Sequence, residues 1–295
     1  MAIGGSNKGA AFFMLNVGVP DGTSSIKFPY RHGAKKDQNN ISSVFIHQLG
    51  FELKNTQKTE NFYRNEWDHR YNQGKRACVR GSPCMVCLIK NTDYSNYGYV
   101  VFHVSSDGYC DLNDGLKIQC LSDSVEEYIT LKEIVDAFSD ENCPGLKDKT
   151  RILIIQACRY NPRNPTDLSD DAGVNVEMVS TPDFFTGQPE KGITQNNPSR
   201  IPSDLDPIDI PTNFLIIYST TSHRFAKRNT VTGSWFEDEL KKVVDAFPVD
   251  RPMYFLQVLT ETASNVAKRE SDPGGKKNVP CYEHRLTNSI IFRKC

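Results

Sequence analysis

One apolar stretch of this chain ends on a cysteine. Arg151-Ile-Leu-Ile-Ile-Gln156-Ala157-Cys158-Arg159 runs from four branched aliphatic residues straight into Gln-Ala-Cys-Arg. A short apolar run bounded by turn-prone sequence predicts a strand buried on both faces, as in a parallel sheet. Lys147-Asp-Lys-Thr150 precedes it and Asn161-Pro-Arg-Asn-Pro165 follows, so both ends are punctuated. Open α/β sheets place their sites at the carboxyl ends of such strands. A thiol there is a candidate nucleophile, because the ionised sulfur attacks carbonyl carbon. Most free cysteines are small buried hydrophobes, but the placement of Cys158 argues for chemistry.

The other sulfurs point elsewhere. The chain has nine cysteines, an odd and scattered set. Cys84-Met-Val-Cys87 is the one CxxC. A single such pair is a weak zinc signal, and its apolar filling suits a half-buried strand or loop. No metal or cofactor is expected. Free thiols imply a reducing compartment, most simply the cytoplasm. The first residues lack the charged and apolar regions of a signal peptide. No apolar run approaches the roughly twenty residues that span a bilayer. A net charge of -1 gives no reason to invoke nucleic acid or an anionic membrane as partner. With 38% apolar and 24% charged residues over 295 positions, a sizeable core is expected.

Several further elements must position the cysteine. Ala10–Val17 reads as a first buried strand, so near the start that no N-terminal recruitment module is expected. Tyr30-Arg31-His32-Gly33 leads into a helical pattern through Ile41, Val44, Phe45 and Leu49. Gly50 ends that helix, Phe51-Glu-Leu-Lys begins a second strand, and Lys58-Thr59-Glu60 opens a polar helix. Tyr97–Val104 is a buried strand, Asp111–Asp123 a mainly polar loop, and Ile129–Phe138 a helix before the cysteine strand. This order predicts a βαβ unit. Residues 160–209 are rich in Pro, Asn, Asp, Ser and Gly without periodicity. Such a loop, about fifty residues long, is far longer than compact domains tolerate and reads as a disordered or processed linker. The fold resumes with Asn213–Thr220 as a strand, then helices through Leu240 and from Met253 to Lys268.

Taken together, these segments resemble the caspase family. The likeness rests on Gln156-Ala-Cys-Arg159, Arg31-His-Gly33 with Leu49-Gly-Phe51, and Tyr218-Ser-Thr220. Arg228-Asn229, Gly233-Ser-Trp-Phe236, and Lys276-Lys-Asn-Val-Pro-Cys281 followed by Leu286-Thr287 add to it, all in the family's order. Q-A-C followed by Arg is a caspase signature. Tyr160 departs from the pattern, standing where the family usually has Gly. The resemblance covers most of the chain outside a basic insertion at 72–98 and the 160–209 linker. It implies a three-layer α/β fold, a mainly parallel six-stranded sheet with helices on both faces. Residues 1–159 would be large-subunit-like and 210–295 small-subunit-like, with a candidate linker cleavage site after Asp171.

The resemblance also assigns roles, and one residue does not fit them. Caspases cut after aspartate with a cysteine thiolate and a histidine that protonates the leaving amine. Here Ser106-Asp107-Gly108 stands where the family has Ser-His-Gly, so Asp107 occupies the histidine slot, or Ser106 if the register slips by one. A carboxylate at neutral pH only accepts hydrogen bonds, and its charge disfavours a neighbouring thiolate. Losing acid-base assistance costs roughly two to four orders of magnitude in rate. His103 lies inside a strand and reads as a packed side chain; His223 is the other histidine worth considering. Gly108 and the backbone of Cys158 match the oxyanion hole. Arg31, Gln156 and Arg228 match the three residues that grip the substrate aspartate, since paired guanidiniums bind a carboxylate strongly. Lys227 replaces an aromatic wall. The expectation is a catalytically impaired, caspase-like regulator of apoptosis. It would pair with an active caspase, or with itself, through an edge strand around Ile290-Ile-Phe292. An active cysteine endopeptidase with an unusual base, and a decoy capturing caspase substrates or inhibitors, are the alternatives.

Overall fold

The computed structural model describes residues 8–18, 28, 30–71, 78, 83–111, 115–122, 126–161, 209–270 and 277–295. Almost all of the 160–209 linker, including the candidate cleavage site at Asp171, lies outside the described residues, as does most of the basic run from Lys75 to Arg80.

In chain order the elements begin with β1 (Gly9–Leu15), α1 (Ala34–Ser42, continued as a π-helical turn over Ser43–Gln48), β2 (Glu52–Leu53), α2 (Arg64–Trp67) and α3 (Met85–Asn91). Then come β3 (Tyr99–Ser105), β4 (Gly108–Asp111), β5 (Gly115–Cys120), β6 (Glu127–Thr130), α4 (Leu131–Ala137) and β7 (Thr150–Gln156). The last part holds β8 (Phe214–Tyr218), β9 (Arg228–Asn229), β10 (Gly233–Ser234) and α5 (Trp235–Ala246). It closes with β11 (Met253–Tyr254), α6 (Phe255–Lys268), β12 (Cys281–His284) and β13 (Ile291–Phe292).

The main sheet has the order β12-β8-β7-β3-β1-β2. All its pairs are parallel except β12 on β8. This is the six-stranded, mainly parallel α/β sheet that the sequence predicts. Its central strands are mainly apolar, with His103 and Arg151 as buried exceptions, because both faces are covered. On one face Phe12, Phe102, Leu153 and Ile216 pack with Trp67, Ile89, Ile134 and Phe138. On the other, Phe13, Ile152, Ile154 and Ile217 pack with Phe45, Phe236, Leu240, Phe255 and Leu259.

Several segments differ from the sequence reading. The expected polar loop at Asp111–Asp123 contains β5, which joins β4 and β6 in a separate three-stranded antiparallel sheet. The polar helix expected from Lys58 is a single turn, Arg64–Trp67; Glu60 bridges to Leu15 as extended chain. Thr130 caps α4 by a capping box: its backbone N–H donates to Glu133 Oε2 at 2.9 Å, and its Oγ1 accepts from Glu133 N at 3.1 Å.

The sheet edge is also misplaced by the sequence reading. Ile290-Ile-Phe292 is not the edge: β13 pairs with β11 in a two-stranded ribbon, and Ile290 and Phe292 are buried in the core. The edge strand on the small-subunit side is β12, whose residues stay half-buried or exposed.

Candidate active site

Leu15 in β1, Ser105 in β3 and Gln156 in β7 lie in one row across the sheet. The residues just beyond them therefore emerge side by side at the carboxyl edge. That is where parallel sheets leave a crevice. Ser106 continues the ladder, donating its N–H to Gln156 O at 3.1 Å, and its hydroxyl donates to Gln119 O at 2.6 Å. Its side chain is thereby turned away, so Asp107, not Ser106, faces the crevice.

A cleft of about 510 Å³ opens there, lined by Asp107, Gly108, Cys158, Tyr160, Tyr128 and Phe225 among others. Among the described residues no histidine lines it. The Tyr160 ring stacks on Phe225, centroids 4.8 Å apart, so the residue replacing the family's glycine builds an aromatic wall. Gly108 is required sterically: a Cβ there would lie 2.7 Å from Lys117 O and 3.2 Å from Cys158 O. Arg159, next to Cys158, is buried; its guanidinium lies 3.9 Å over the Tyr218 ring and donates to Thr220 O. It braces the strand end against β8.

Cys158 is half-buried. Burial is the main force pushing its thiol above the ordinary value; a hydrogen bond from the Ala226 backbone opposes this, the Asp107 charge adds to it, and Arg31 and Arg228 oppose it. The thiolate is thus scarcer than at a free cysteine. Asp107→Asn should lower the thiol pKa and make Cys158 alkylate several-fold faster by iodoacetamide near neutral pH, since thiolate is the reacting form. An unchanged pH–rate profile would separate Asp107 from Cys158.

Arg31 is buried, and its Nη1 donates to the carbonyls of Asn16 and Ser105. Its Nε lies 3.2 Å from Asp107 Oδ1. That contact is electrostatic, because the Nε–H makes no aligned hydrogen bond. Burial first, then Arg228, lower the Arg31 pKa to about 10, while Asp107, Asp37 and Cys158 hold it up. Arg228 Nη2 lies 3.2 Å from Asp37 Oδ2. Gln156 is buried, and its Oε1 has no hydrogen-bond partner among the described residues. Of the sequence-derived trio, Arg31 and Arg228 are brought together with Cys158 and Asp107, while Gln156 ends β7 two residues before Cys158. The anions that neutralise these arginines are the chain's own.

Asp37 was missed by sequence reasoning. It is fully buried and accepts from Ser234 N at 2.7 Å, Ser234 Oγ at 2.9 Å and Ser105 Oγ at 3.0 Å. Gly233, at φ 92, lets the backbone approach it; a Cβ there would meet Asp37 Oδ1 at 2.7 Å. Gly33, at φ 80, sits equally tightly on Asn229 O and sets the Arg31 loop beside the Arg228 loop. A signal for Asp37 was present: it shares the helical face of Ile41 and Val44, where a charge has no reason to be unless it is paired.

His103 is fully buried and bonds Glu237 Oε1 at 2.6 Å from Nε2. It points to the opposite core from the cleft, edge-on to Phe13, as a packed strand side chain would. Burial lowers its pKa to about 4. Burial, then Asp37, raise Glu237 well above the usual carboxylate range. Burial thus favours the neutral form of both groups. A raised carboxyl pKa stabilises the fold below the unfolded value and loses that contribution as pH rises. Glu237→Gln cannot titrate, so its melting temperature relative to wild type should climb as the pH rises above the ordinary carboxylate range. A pH-independent difference would show that Glu237 is ionised in the fold.

With this geometry in view, the comparisons with known proteins decide the family. The family model for the caspase domain matches residues 24–291. The chain belongs to the caspase family. Caspase-6 of Bos taurus is 23% identical over 271 residues, covering 90% of this chain and 78% of that protein. Caspase-3 of Xenopus laevis is 29% identical over 170 residues, covering 58% of this chain and 50% of that protein. The fold is similar to the crystal structure of caspase-1 from Spodoptera frugiperda, with a TM-score of 0.64 at 21% identity, covering 98% of this chain and 91% of that one.

Proposed function

We propose that this caspase homologue is catalytically impaired and acts by binding an active caspase and changing its activity. The observation that carries the reading is Asp107. A carboxylate, paired with Arg31 and beside Cys158, stands at the carboxyl edge of the sheet where peptide cleavage needs a proton donor. A carboxylate only accepts hydrogen bonds, and its charge works against the thiolate. Because Arg31 and Arg228 already face Asp107 and Asp37, capture of a free aspartate as a decoy is the weaker reading.

The partner-binding element in this reading is the outer edge of β12. Among the described residues that edge has no strand beside it, and an open edge accepts a strand from another chain. The partner would be an active caspase of the apoptosis pathway in the cytoplasm; a second copy of this chain is the competing occupant. Mixing the purified protein with an active caspase should give co-elution on gel filtration and a changed rate of Asp-peptide cleavage. The absence of both co-elution and any rate change would defeat the proposal.

One observation favours a second reading. His223 N donates to Arg159 O at 2.9 Å, so its loop runs alongside the cysteine strand. A working peptidase using His223 as base would lose Asp-peptide cleavage in both Cys158→Ala and His223→Ala.

A further inference from the structure

His69 and three cysteines of the insertion at 72–98 form a cluster that the caspase chemistry does not use. His69, Cys78, Cys84 and Cys87 bring one nitrogen and three sulfurs within 4.8 Å of one another. His69 Nδ1 is 3.3 Å from Cys84 Sγ, 3.5 Å from Cys78 Sγ and 3.5 Å from Cys87 Sγ. Hydrogen bonding does not account for this: an imidazole Nδ1 carries at most one hydrogen and cannot serve three sulfurs at once. A disulfide does not account for it either, since all three cysteines are free and surround the same nitrogen. A tetrahedral ion does. With zinc about 2.3 Å from sulfur and about 2.0 Å from nitrogen, the nitrogen–sulfur edge of a tetrahedron is about 3.5 Å.

The ligands come from three separate places in the chain. His69 follows α2, Cys78 stands alone in the insertion, and Cys84 and Cys87 flank the start of α3. The CxxC is therefore not the half-buried strand or loop that the sequence implies, but the beginning of a helix. This helix turns both sulfurs toward His69 while burying Met85 and Ile89 against Trp67 in the core. The polar, basic stretch between His69 and Cys84 offers almost no apolar side chains of its own. It needs some other tie to hold α3 in place. A zinc ion with three thiolates and one neutral imidazole has a net charge of about -1, and Arg70, Lys75, Arg76 and Arg80 flank the ligands in sequence.

We infer that His69, Cys78, Cys84 and Cys87 form a structural zinc site that ties the insertion to α2. All four positions are filled by protein, which marks a closed, non-catalytic centre, and three thiolates select a soft, tetrahedral metal over magnesium or calcium. Sequence spacing hid it, because His-x8-Cys-x5-Cys-x2-Cys is assembled by folding across α2 and α3.

The test is metal analysis of the full chain purified under reducing conditions without chelator. About one zinc per chain is expected, lost in Cys84→Ser and Cys78→Ser and kept in His69→Cys, which offers a fourth thiolate. Should the serine variants not fold, the natural protein still decides. Cobalt exchanged into it should give a thiolate-to-metal charge-transfer band with tetrahedral visible bands, and chelator should lower its melting temperature. Folded, reduced protein with no bound zinc and no cobalt spectrum would overturn the site, as would a disulfide between any two of the three cysteines found by mass spectrometry.

Discussion

Asp37→Ala should destabilise the protein by about 3–5 kcal/mol, the usual cost of removing one partner of a buried ion pair. Asp37 is fully buried and paired with Arg228, and it also accepts from Ser234 and Ser105. Its loss leaves a largely buried guanidinium unpaired and three donors without an acceptor, each a desolvation penalty. Three separate motifs meet at this carboxylate: the helix after Arg31-His-Gly33, the end of β3, and Gly233-Ser-Trp-Phe236. The damage should therefore reach beyond one loop. Asp37→Asn keeps the shape and some acceptor capacity and should lose less. Urea unfolding of the three proteins measures this; a loss under about 1 kcal/mol for the alanine variant would mean that Asp37 is not the junction of the site.

What was legible in the sequence follows from which forces act along the chain and which act across it. The buried parallel strands announce themselves because a strand covered on both faces is mainly apolar, as in the runs Val100–Phe102 and Ile152–Ile155. β4 to β6 do not, because a small sheet with one wet face tolerates Lys117 and Gln119 between its buried residues. The edge was misassigned for a related reason. Ile290-Ile-Phe292 is the more apolar run, yet its apolarity goes into the core, while the true edge at Cys281–His284 is mixed because one side of it meets water. Cys158, Gly108, Arg31, Gln156 and Arg228 were legible as motif positions. The pairing of Arg31 with Asp107 was not, since it joins two segments far apart in the chain that are matched one at a time. The zinc ligands were hidden in the same way.

Asp107→His should raise Cys158-dependent cleavage of an Asp-containing peptide by about 100-fold to about 10,000-fold. Two changes act together. The substitution removes the anion that faces Arg31, leaving that guanidinium for a substrate carboxylate. It also places an imidazole beside Cys158, which favours the thiolate when charged and protonates the leaving amine. Gly108 keeps its close approach to the Cys158 backbone throughout, so the oxyanion-side geometry is retained.

The most direct measurement is therefore peptide turnover by the natural protein, Asp107→His, and each with Cys158→Ala added. The account predicts at most weak Cys158-dependent turnover by the natural protein and far faster turnover by Asp107→His that vanishes when Cys158 is removed. Turnover by the natural protein that is abolished by Cys158→Ala and not improved by Asp107→His would contradict it.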